Sequence, residues 1–325
     1  MIGVAVGIPY IPVSVGGSGV PANAMLWPDG PAMQWPDGEY MFWPSAPTTV
    51  PNISVAVNGN IVTITNTGGQ DATFDYGDGT TGTSLTHGYA TQGVYAVTSS
   101  NAAGDGNTVT AIVSSFWATG RTTYCYTDTG GTVPATTGDA VAVEKSPNSG
   151  LASLTQTDPT KRPLTQAGGL QFDVVDDYQQ FTAPALTGDF TAYFVGTLVV
   201  STNFIPFGST ATQAIIRFQD DRLYVVDSTS AGPVITTNVA GLVAFRVRRE
   251  SGFIYVKFAG GAESAGVSNS GTFTFETTGR RTISGQQNGN ASQRYLSRLL
   301  FNRNLSAGER TLMESYLLTV DGVAP

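Results

Sequence analysis

The sequence predicts an all-β protein: an N-terminal arm of repeated octads, a small β-sandwich, and a larger β-sandwich closed by one C-terminal helix. Three observations predict it. Glycine supplies 39 of the 325 residues while only 12% are charged, a composition suited to pleated, half-buried surfaces joined by tight turns. Beyond the arm, short runs of alternating apolar and polar residues are separated by turn clusters roughly every 8–12 residues, the spacing of stacked antiparallel strands. One stretch near the C-terminus keeps a helical period instead, and it follows a helix-capping sequence.

The arm covers residues 1–50. Its opening, MIGVAVGIPYIPVSVGG, is apolar but lacks a basic flank and is interrupted by Pro9 and Pro12. This predicts neither a secretory signal nor a membrane-spanning helix, hence a protein made in the cytoplasm and released with an assembly, without membrane insertion. An octad then repeats as Met25-Leu26-Trp27-Pro28, Met33-Gln34-Trp35-Pro36 and Met41-Phe42-Trp43-Pro44. Pro-Asp-Gly after the first two tryptophans suits a tight turn, so each unit reads as a short strand and a reversal. Eight residues cannot close a core alone, and Trp27, Trp35 and Trp43 are expected either to stack on one another or to dock and oligomerise the chain.

Charge and cysteine narrow the function classes. No Lys or Arg precedes Arg121, whereas Asp29, Asp37, Glu39, Asp71, Asp75, Asp78 and Asp105 do, and the net charge is −8. Without a basic stripe, nucleic acid is not an expected partner. Cys125 is the only cysteine, which excludes an intrachain disulfide and a thiolate metal centre.

Residues 51–113 read as the small sandwich. SVAVNGNIVTITNT places alternating runs on either side of Asn58-Gly59-Asn60, a hairpin signal. Downstream, Phe74-Asp75-Tyr76-Gly77-Asp78-Gly79-Thr80, Thr86-His87-Gly88-Tyr89 and Gly93-Val94-Tyr95-Ala96-Val97 occur in order. This segment resembles the polycystic-kidney-disease type of immunoglobulin-like domain, whose pattern is a strand ending in FGDG, a histidine-tyrosine pair and a GxYxV strand. The resemblance implies a spacer in which His87 is structural rather than a general base. Asp75 and Asp78 are expected to form the turn, since two carboxylates fall short of the roughly 6–8 oxygens of a Ca2+ site.

Residues 114–325 read as the larger sandwich. A join over 114–120, with Trp117 at its edge, leads to a strand at 124–128, and the polar stretch 129–166 is expected to hug the surface with a short strand over 140–144. LQFDVVDDYQQF, residues 170–181, alternates into an acidic corner. Strand candidates follow at 190–200, 205–208, 214–219, 222–227, 234–237, 241–249, 252–258, 272–276, 281–284 and 295–302, enough for two stacked antiparallel sheets. Ser306-Ala307-Gly308-Glu309 is a capping box, and Leu312, Met313, Tyr316, Leu317 and Val320 recur at helical spacing.

Gly169-Leu170-Gln171-Phe172-Asp173 with Asp176-Asp177-Tyr178, and Leu305-Ser306-Ala307-Gly308-Glu309-Arg310 with Tyr316-Leu317, resemble the concanavalin A-like, laminin-G-like jelly roll. Val174 stands where that family has Gly, and Glu144-Lys145-Ser146-Pro147-Asn148 replaces its usual Trp-Asp loop. The family hosts lectins and glycan-cleaving enzymes alike. The glutamates here form no E-x-D-x-E strand for a two-carboxylate mechanism, and this region has no histidine, so a non-enzymatic protein with no catalytic residue is expected. For binding, carboxylates and amides that could meet sugar hydroxyls lie in candidate loops at Asp176, Asp177, Asp220, Asp221, Asn288 and Asn290, although an Asp pair at a strand end more often caps a turn. Arg246, Arg248 and Arg249, alternating with Val243, Phe245 and Val247, are expected on a solvent face. No cofactor is expected, and Ca2+ has no clear motif.

The layout of arm, spacer and displayed jelly roll resembles bacteriophage virion appendages. The expectation is therefore a tail or head fibre or spike at the virion surface. It would bind other virion proteins through its arm, form a homo-oligomer and attach to host-surface polysaccharide. A decoration protein that stabilises a capsid or tail is the alternative, followed by a secreted adhesin or a polysaccharide depolymerase.

Overall fold

The computed structural model describes residues 48–325 apart from 168, 173–176, 183–185, 187, 199–203, 210–214, 220–221, 227–230, 237–240, 270, 279–280, 284–285 and 289–292. Contacts divide the chain after Thr48, and Thr49–Pro325 forms one compact unit. The octads and their tryptophans lie outside the described residues.

The smaller sandwich is built from β1 (Ile53–Asn58), β2 (Ile61–Asn66), β3 (Thr73–Asp75), β4 (Thr81–Gly82), β5 (Thr86–Gly88), β6 (Gly93–Asn101) and β7 (Gly104–Val113). One sheet runs β1-β2-β5 and the other β4-β3-β6-β7. The alternation predicted from sequence decides which side chains meet between them: Val62, Ile64, Phe74, Tyr89, Val97 and Ala111 form the core. Gly59 takes φ 62° in the two-residue turn between β1 and β2, a conformation that an L side chain resists. Tyr89 donates its buried hydroxyl to the Tyr76 carbonyl at 2.7 Å, tying a corner of the sandwich shut.

The larger sandwich begins with β8 (Phe116–Thr119), β9 (Cys125–Tyr126), β10 (Val143–Glu144), β11 (Leu154–Thr155), β12 (Leu164–Gln166), β13 (Gly169–Phe172) and β14 (Gln179–Gln180). It continues through β15 (Phe190–Leu198), β16 (Phe204–Phe207), β17 (Ile215–Gln219), β18 (Arg222–Val226), β19 (Ala231–Thr236), β20 (Gly241–Glu250) and β21 (Phe253–Phe258). The last strands are β22 (Val267–Ser268), β23 (Thr277–Thr278), β24 (Arg281–Ile283), β25 (Gln286–Asn288) and β26 (Gln293–Phe301), and helix α1 (Ala307–Asp321) ends the fold. One layer is the sheet β12-β13-β26-β15-β20-β21-β22, with β8 also paired to β26. The opposing side is formed by β23-β14-β11-β10-β9 and by β16-β17-β18-β19, linked by a bridge between Gly208 and Thr277. The protein is thus nearly all β, a jelly-roll sandwich with one C-terminal helix. Its interlayer core is aromatic, with Phe172, Phe190, Phe194, Phe207, Phe245 and Phe273 all fully buried.

Several local expectations change in three dimensions. Residues 116–119 are no bare join but a strand on β26, with Trp117 opposite Leu299. Between β13 and β14 the chain passes from one layer to the other, because β13 pairs β26 whereas β14 pairs β11; residues 173–176 of the expected acidic corner lie outside the described residues. In residues 272–276 Phe273 forms an isolated bridge to Leu186, and Phe273 and Phe275 both enter the core, as residues two apart on an extended chain do. The capping box is formed as spelled: Ser306 Oγ accepts from Glu309 N, and Glu309 Oε2 accepts from Ser306 N at 2.9 Å. Gly322 ends the helix in the left-handed region, as Gly after a last helical turn commonly does.

The two sandwiches share a core. Val94 of β6 and Ile112 of β7 pack with Trp117, Tyr193, Leu299 and Met313 on the outer face of the large sheet. A polar clamp reinforces that contact. Asn148 Oδ1 accepts from Gly59 N at 2.7 Å and Asn148 Nδ2 donates to Gly59 O at 2.9 Å. A Cβ on Gly150 would lie 2.1 Å from Gly59 N, so the loop must be bare there to reach the hairpin. On the other side, Arg303 donates to the Gln92 carbonyl and to Glu309.

Two stability measurements follow. Asn148→Ala leaves two backbone groups of the hairpin turn without partners, and equilibrium denaturation should show a loss of about 2–3 kcal/mol. Within the core, Arg298 donates to Glu144 at 2.5 Å with both side chains fully buried. Arg298→Met alone should cost about 3–5 kcal/mol by stranding the carboxylate, while Arg298→Met with Glu144→Leu should recover most of it. A double variant as unstable as the single one would show that the pair itself holds the layers together.

Candidate functional site

Of the residues singled out from sequence for ligand binding, Asp177 and Asn288 are among the described residues. Asp177 is 6% exposed, which removes its carboxylate from solvent. Asn288 pairs with Arg281 in the hairpin of β24 and β25. Asp176, Asp220, Asp221 and Asn290 lie outside the described residues, as do Trp27, Trp35 and Trp43. Among the described residues, no group of three or more His, Cys, Asp or Glu is placed to hold a metal ion. Asp75 and Asp78 are occupied by their own turn, accepting from Gly77 N at 2.8 Å and Thr80 N at 3.0 Å. Asp78 also meets His87 Nε2 at 2.7 Å, and the His87 ring stacks on Tyr76 at 4.1 Å. Burial would raise the Asp78 carboxyl, but bonds from Thr80 and His87 outweigh it and hold the group below its ordinary value.

The arginine face is corrected. Arg246, Arg248 and Arg249 are each 5–6% exposed and do not share one face. Arg249 donates to the Gly271 carbonyl at 2.7 Å. Arg246 and Arg248 lie under the Glu263 loop and helix α1. Glu263 receives Arg246 Nη2 at 2.7 Å, Arg248 Nε at 2.9 Å and Arg248 Nη2 at 2.6 Å. Glu314 of α1 receives Arg246 and, at 2.7 Å, Lys257. The cations are consumed internally, so this face offers no ready docking point for an anion. The hydrogen bond from Arg248, helped by Arg246, brings the Glu263 carboxyl down to about 2.

A second polar cluster lies between the layers. Arg298 of β26 reaches Glu144 of β10 and, at 3.0 Å, Thr278 of β23. Glu144 Oε1 and both amide atoms of Gln179 have no hydrogen-bond partner among the described residues. Burial raises the thiol of neighbouring Cys125 far above its ordinary value, which leaves it protonated and unsuited to nucleophilic chemistry. All of these groups are sealed from solvent.

What remains open is a cleft of about 230 Å3 where the smaller sandwich, the larger sandwich and the helix meet. β1 and β7 supply Val57, Thr110 and Ile112 as one wall. The opposite wall carries Trp117 and Thr119 of β8, Ser297 of β26 and Tyr316 of α1, with Arg121 and Tyr124 beside them. Trp117 and Tyr316 meet edge to face, 5.9 Å between centroids. Arg121 Nη2 donates to Asp321 at 2.6 Å and to the Val320 carbonyl at 2.8 Å, capping the helix end. Burial raises the Asp321 carboxyl, against the pull of Ser297 and Arg121. Thr119 is 2% exposed and its hydroxyl has no partner among the described residues. Aromatic surface with a few placed polar groups is the usual make-up of a small-ligand site.

No known protein family matches the chain, and no curated protein does. Solved structures do. Trypanosoma rangeli sialidase in complex with a difluoro-nononic acid matches with a TM-score of 0.41 and 10% identity over 80% of this chain and 48% of that one. The chain therefore spans about half the length of that sialidase. The alginate lyase AlgAT5 of polysaccharide lyase family 7 matches with a TM-score of 0.27 and 10% identity over 49% of this chain and 80% of that one. A family 7 alginate lyase A1-II′ variant with bound product gives 0.23 and 16%, over 70% and 91%.

The matched structures are carbohydrate-active enzymes. That overturns the expectation of a non-enzymatic protein, which rested on a missing E-x-D-x-E strand and a missing histidine. Both are patterns of particular mechanisms, whereas the matches are to lyases and a sialidase built on β architecture. At TM-scores of 0.23–0.41 and 10–16% identity the matches establish no substrate or mechanism of this chain.

Sequence reasoning missed the cleft. Its aromatic residues come from positions 117, 124 and 316, and no local pattern links them. Only Trp117 carried a signal, as a large aromatic in a segment read as a join.

The Glu263 network yields a pH test. Because its folded carboxyl sits at about 2 against an ordinary 4.5, its stabilisation is complete above the ordinary value and is lost as pH falls toward 2. Glu263→Gln should therefore lose about 2 kcal/mol at pH 7 relative to the native chain, with the gap closing steadily between about pH 5 and pH 2. A gap that stays constant across that range, measured by denaturant unfolding, would show that the carboxylate contributes no charge-dependent stability.

Proposed function

We propose that this chain is a carbohydrate-directed protein of a bacteriophage virion surface, a tail or head fibre or spike whose larger sandwich engages host-surface polysaccharide. The observation that carries the carbohydrate part is the cleft: Trp117, Tyr124 and Tyr316 beside the hydroxyls of Thr119 and Ser297 and the Arg121 guanidinium. Sugars combine apolar C–H faces with dense hydroxyls, and such a lining answers both. The jelly-roll fold is in keeping with it.

The smaller sandwich is read as an immunoglobulin-like domain of the polycystic-kidney-disease type. The Tyr89 bond to the Tyr76 carbonyl and the His87 stack on Tyr76 support that reading. The shared core and the Asn148 clamp make it a rigid support rather than a loose spacer. The virion location, the homo-oligomer and attachment through the octads rest on the sequence layout of residues 1–50, 51–113 and 114–325.

Glycan arrays, host-cell adsorption and a polysaccharide chain-length assay on the full chain test the proposal together. Binding or cleavage of at least one host polysaccharide is expected. Tyr124→Ala, at a partly exposed position, should weaken it at least tenfold with an unchanged melting temperature, whereas Arg121→Met should weaken it and also lower the melting temperature, because it strands the buried Asp321 carboxylate. Neither binding nor cleavage in any of the three assays would sink the carbohydrate reading. Deleting residues 1–50 should abolish incorporation into the particle while leaving glycan binding intact, and a truncated chain that still incorporates would remove the docking role of the arm.

A further inference from the structure

We infer that the cleft between the two sandwiches takes a single, uncharged pyranose ring at the end of a glycan chain. The inference rests on the carbohydrate reading above and adds the class of sugar, its charge and its position in the chain.

Size gives the first argument. Drug-sized ligands occupy pockets of roughly 300–1,000 Å3, and the space here is about 230 Å3. One hexose ring suits that volume, whereas two linked rings need more. Enclosure gives the second. Elements of three separate bodies surround the space: β1 and β7, then β8 and β26, then α1. A ring held among them has its linkage to the next sugar leaving by the mouth, beside exposed Ala56 and the Arg121 side chain, which is 36% accessible. An internal residue of a polysaccharide carries two linkages and needs two ways out.

Charge gives the third. Arg121 is the sole ionisable lining residue apart from the tyrosines, and it is already paired with Asp321, whose side chain is fully buried. The site therefore carries no spare positive charge. A carboxylated or sulfated sugar would bring its anion beside the Asp321 carboxylate with half of the compensating guanidinium already taken. The hydroxyls of Thr110 and Thr119 are matched instead to the alcohols of a neutral ring.

The Thr119 hydroxyl supplies the most specific observation. It is buried on the cleft wall without a partner among the described residues, and buried polar groups are rarely left so. A ligand alcohol that both donates and accepts would satisfy it.

Because the walls belong to both sandwiches, an occupied cleft ties them together. Ligand that binds only the folded chain raises the unfolding temperature by mass action.

The test uses the full chain and four probes: methyl pyranosides of the common neutral hexoses, methyl glucuronide, the host polysaccharide, and the same polysaccharide after an exoglycosidase has trimmed its non-reducing ends. Saturation-transfer NMR and calorimetry report binding. One neutral methyl pyranoside should bind with 1:1 stoichiometry, compete with the polysaccharide and raise the melting temperature. Methyl glucuronide should bind at least tenfold more weakly, and end-trimming should remove most polymer binding. Thr119→Val should weaken the pyranoside at least fivefold while keeping or raising the melting temperature, since it removes an orphan hydroxyl at constant shape.

If the polymer binds and no monosaccharide competes, or if end-trimming changes nothing, the inference is overturned while the carbohydrate reading stands. Preference for the glucuronide overturns the neutral assignment. Absence of binding by polymer and monosaccharide alike overturns both readings.

Discussion

The central strands of the large sheet are buried on both faces, and the rest of the architecture follows from that constraint. In β15, Phe190, Ala192 and Phe194 enter the interlayer core while Tyr193 and Val195 enter the outer cluster. All five are inaccessible to solvent. A strand that is apolar on both sides cannot be left against water on either. The second layer covers one face. The other is shared between helix α1 and the edge of the smaller sandwich, with Val94, Ile112, Met313 and Leu317 in the same cluster.

That sharing explains why the clamp residues are where they are. The Asn148 loop, the Arg303 side chain and the capping-box glutamate Glu309 all meet the smaller sandwich at its rim. Glu309 therefore has two jobs, closing the first helical turn and accepting from Val94 N at 3.3 Å. Each polar group at the rim satisfies backbone atoms that the apolar contact would otherwise strand. At the cleft the covering bodies leave about 230 Å3 between them with a mixed lining.

Polar groups inside the large sheet follow the same logic. Arg246 and Arg248 point toward the covered face, and the carboxylates of Glu263, Glu250 and Glu314 come to them from a loop, a strand end and the helix. Arg298 points the other way and takes Glu144 across the core. The two networks differ in their exposure: Glu263 keeps 26% of its side-chain surface, whereas neither Arg298 nor Glu144 keeps any. The first network is therefore open to salt and pH, and the second acts through the desolvation it imposes on anything that breaks it.

The sequence by itself determined the β class, the β1–β2 hairpin at Gly59, the order of the long strands and the capped helix. These depend on period, turn chemistry and capping, which act between residues a few positions apart. It did not show that the chain changes layer between β13 and β14. The tertiary structure alone decided that Arg246 and Arg248 are covered, because their partners stand up to 68 positions away. It alone made residues 116–119 a strand, through pairing with β26. It alone assembled the cleft, since Trp117, Tyr124 and Tyr316 become neighbours only when two sandwiches and a helix close on one sheet. Local chemistry writes the elements. Which surfaces they must cover is decided by how much apolar area the completed sheet leaves exposed.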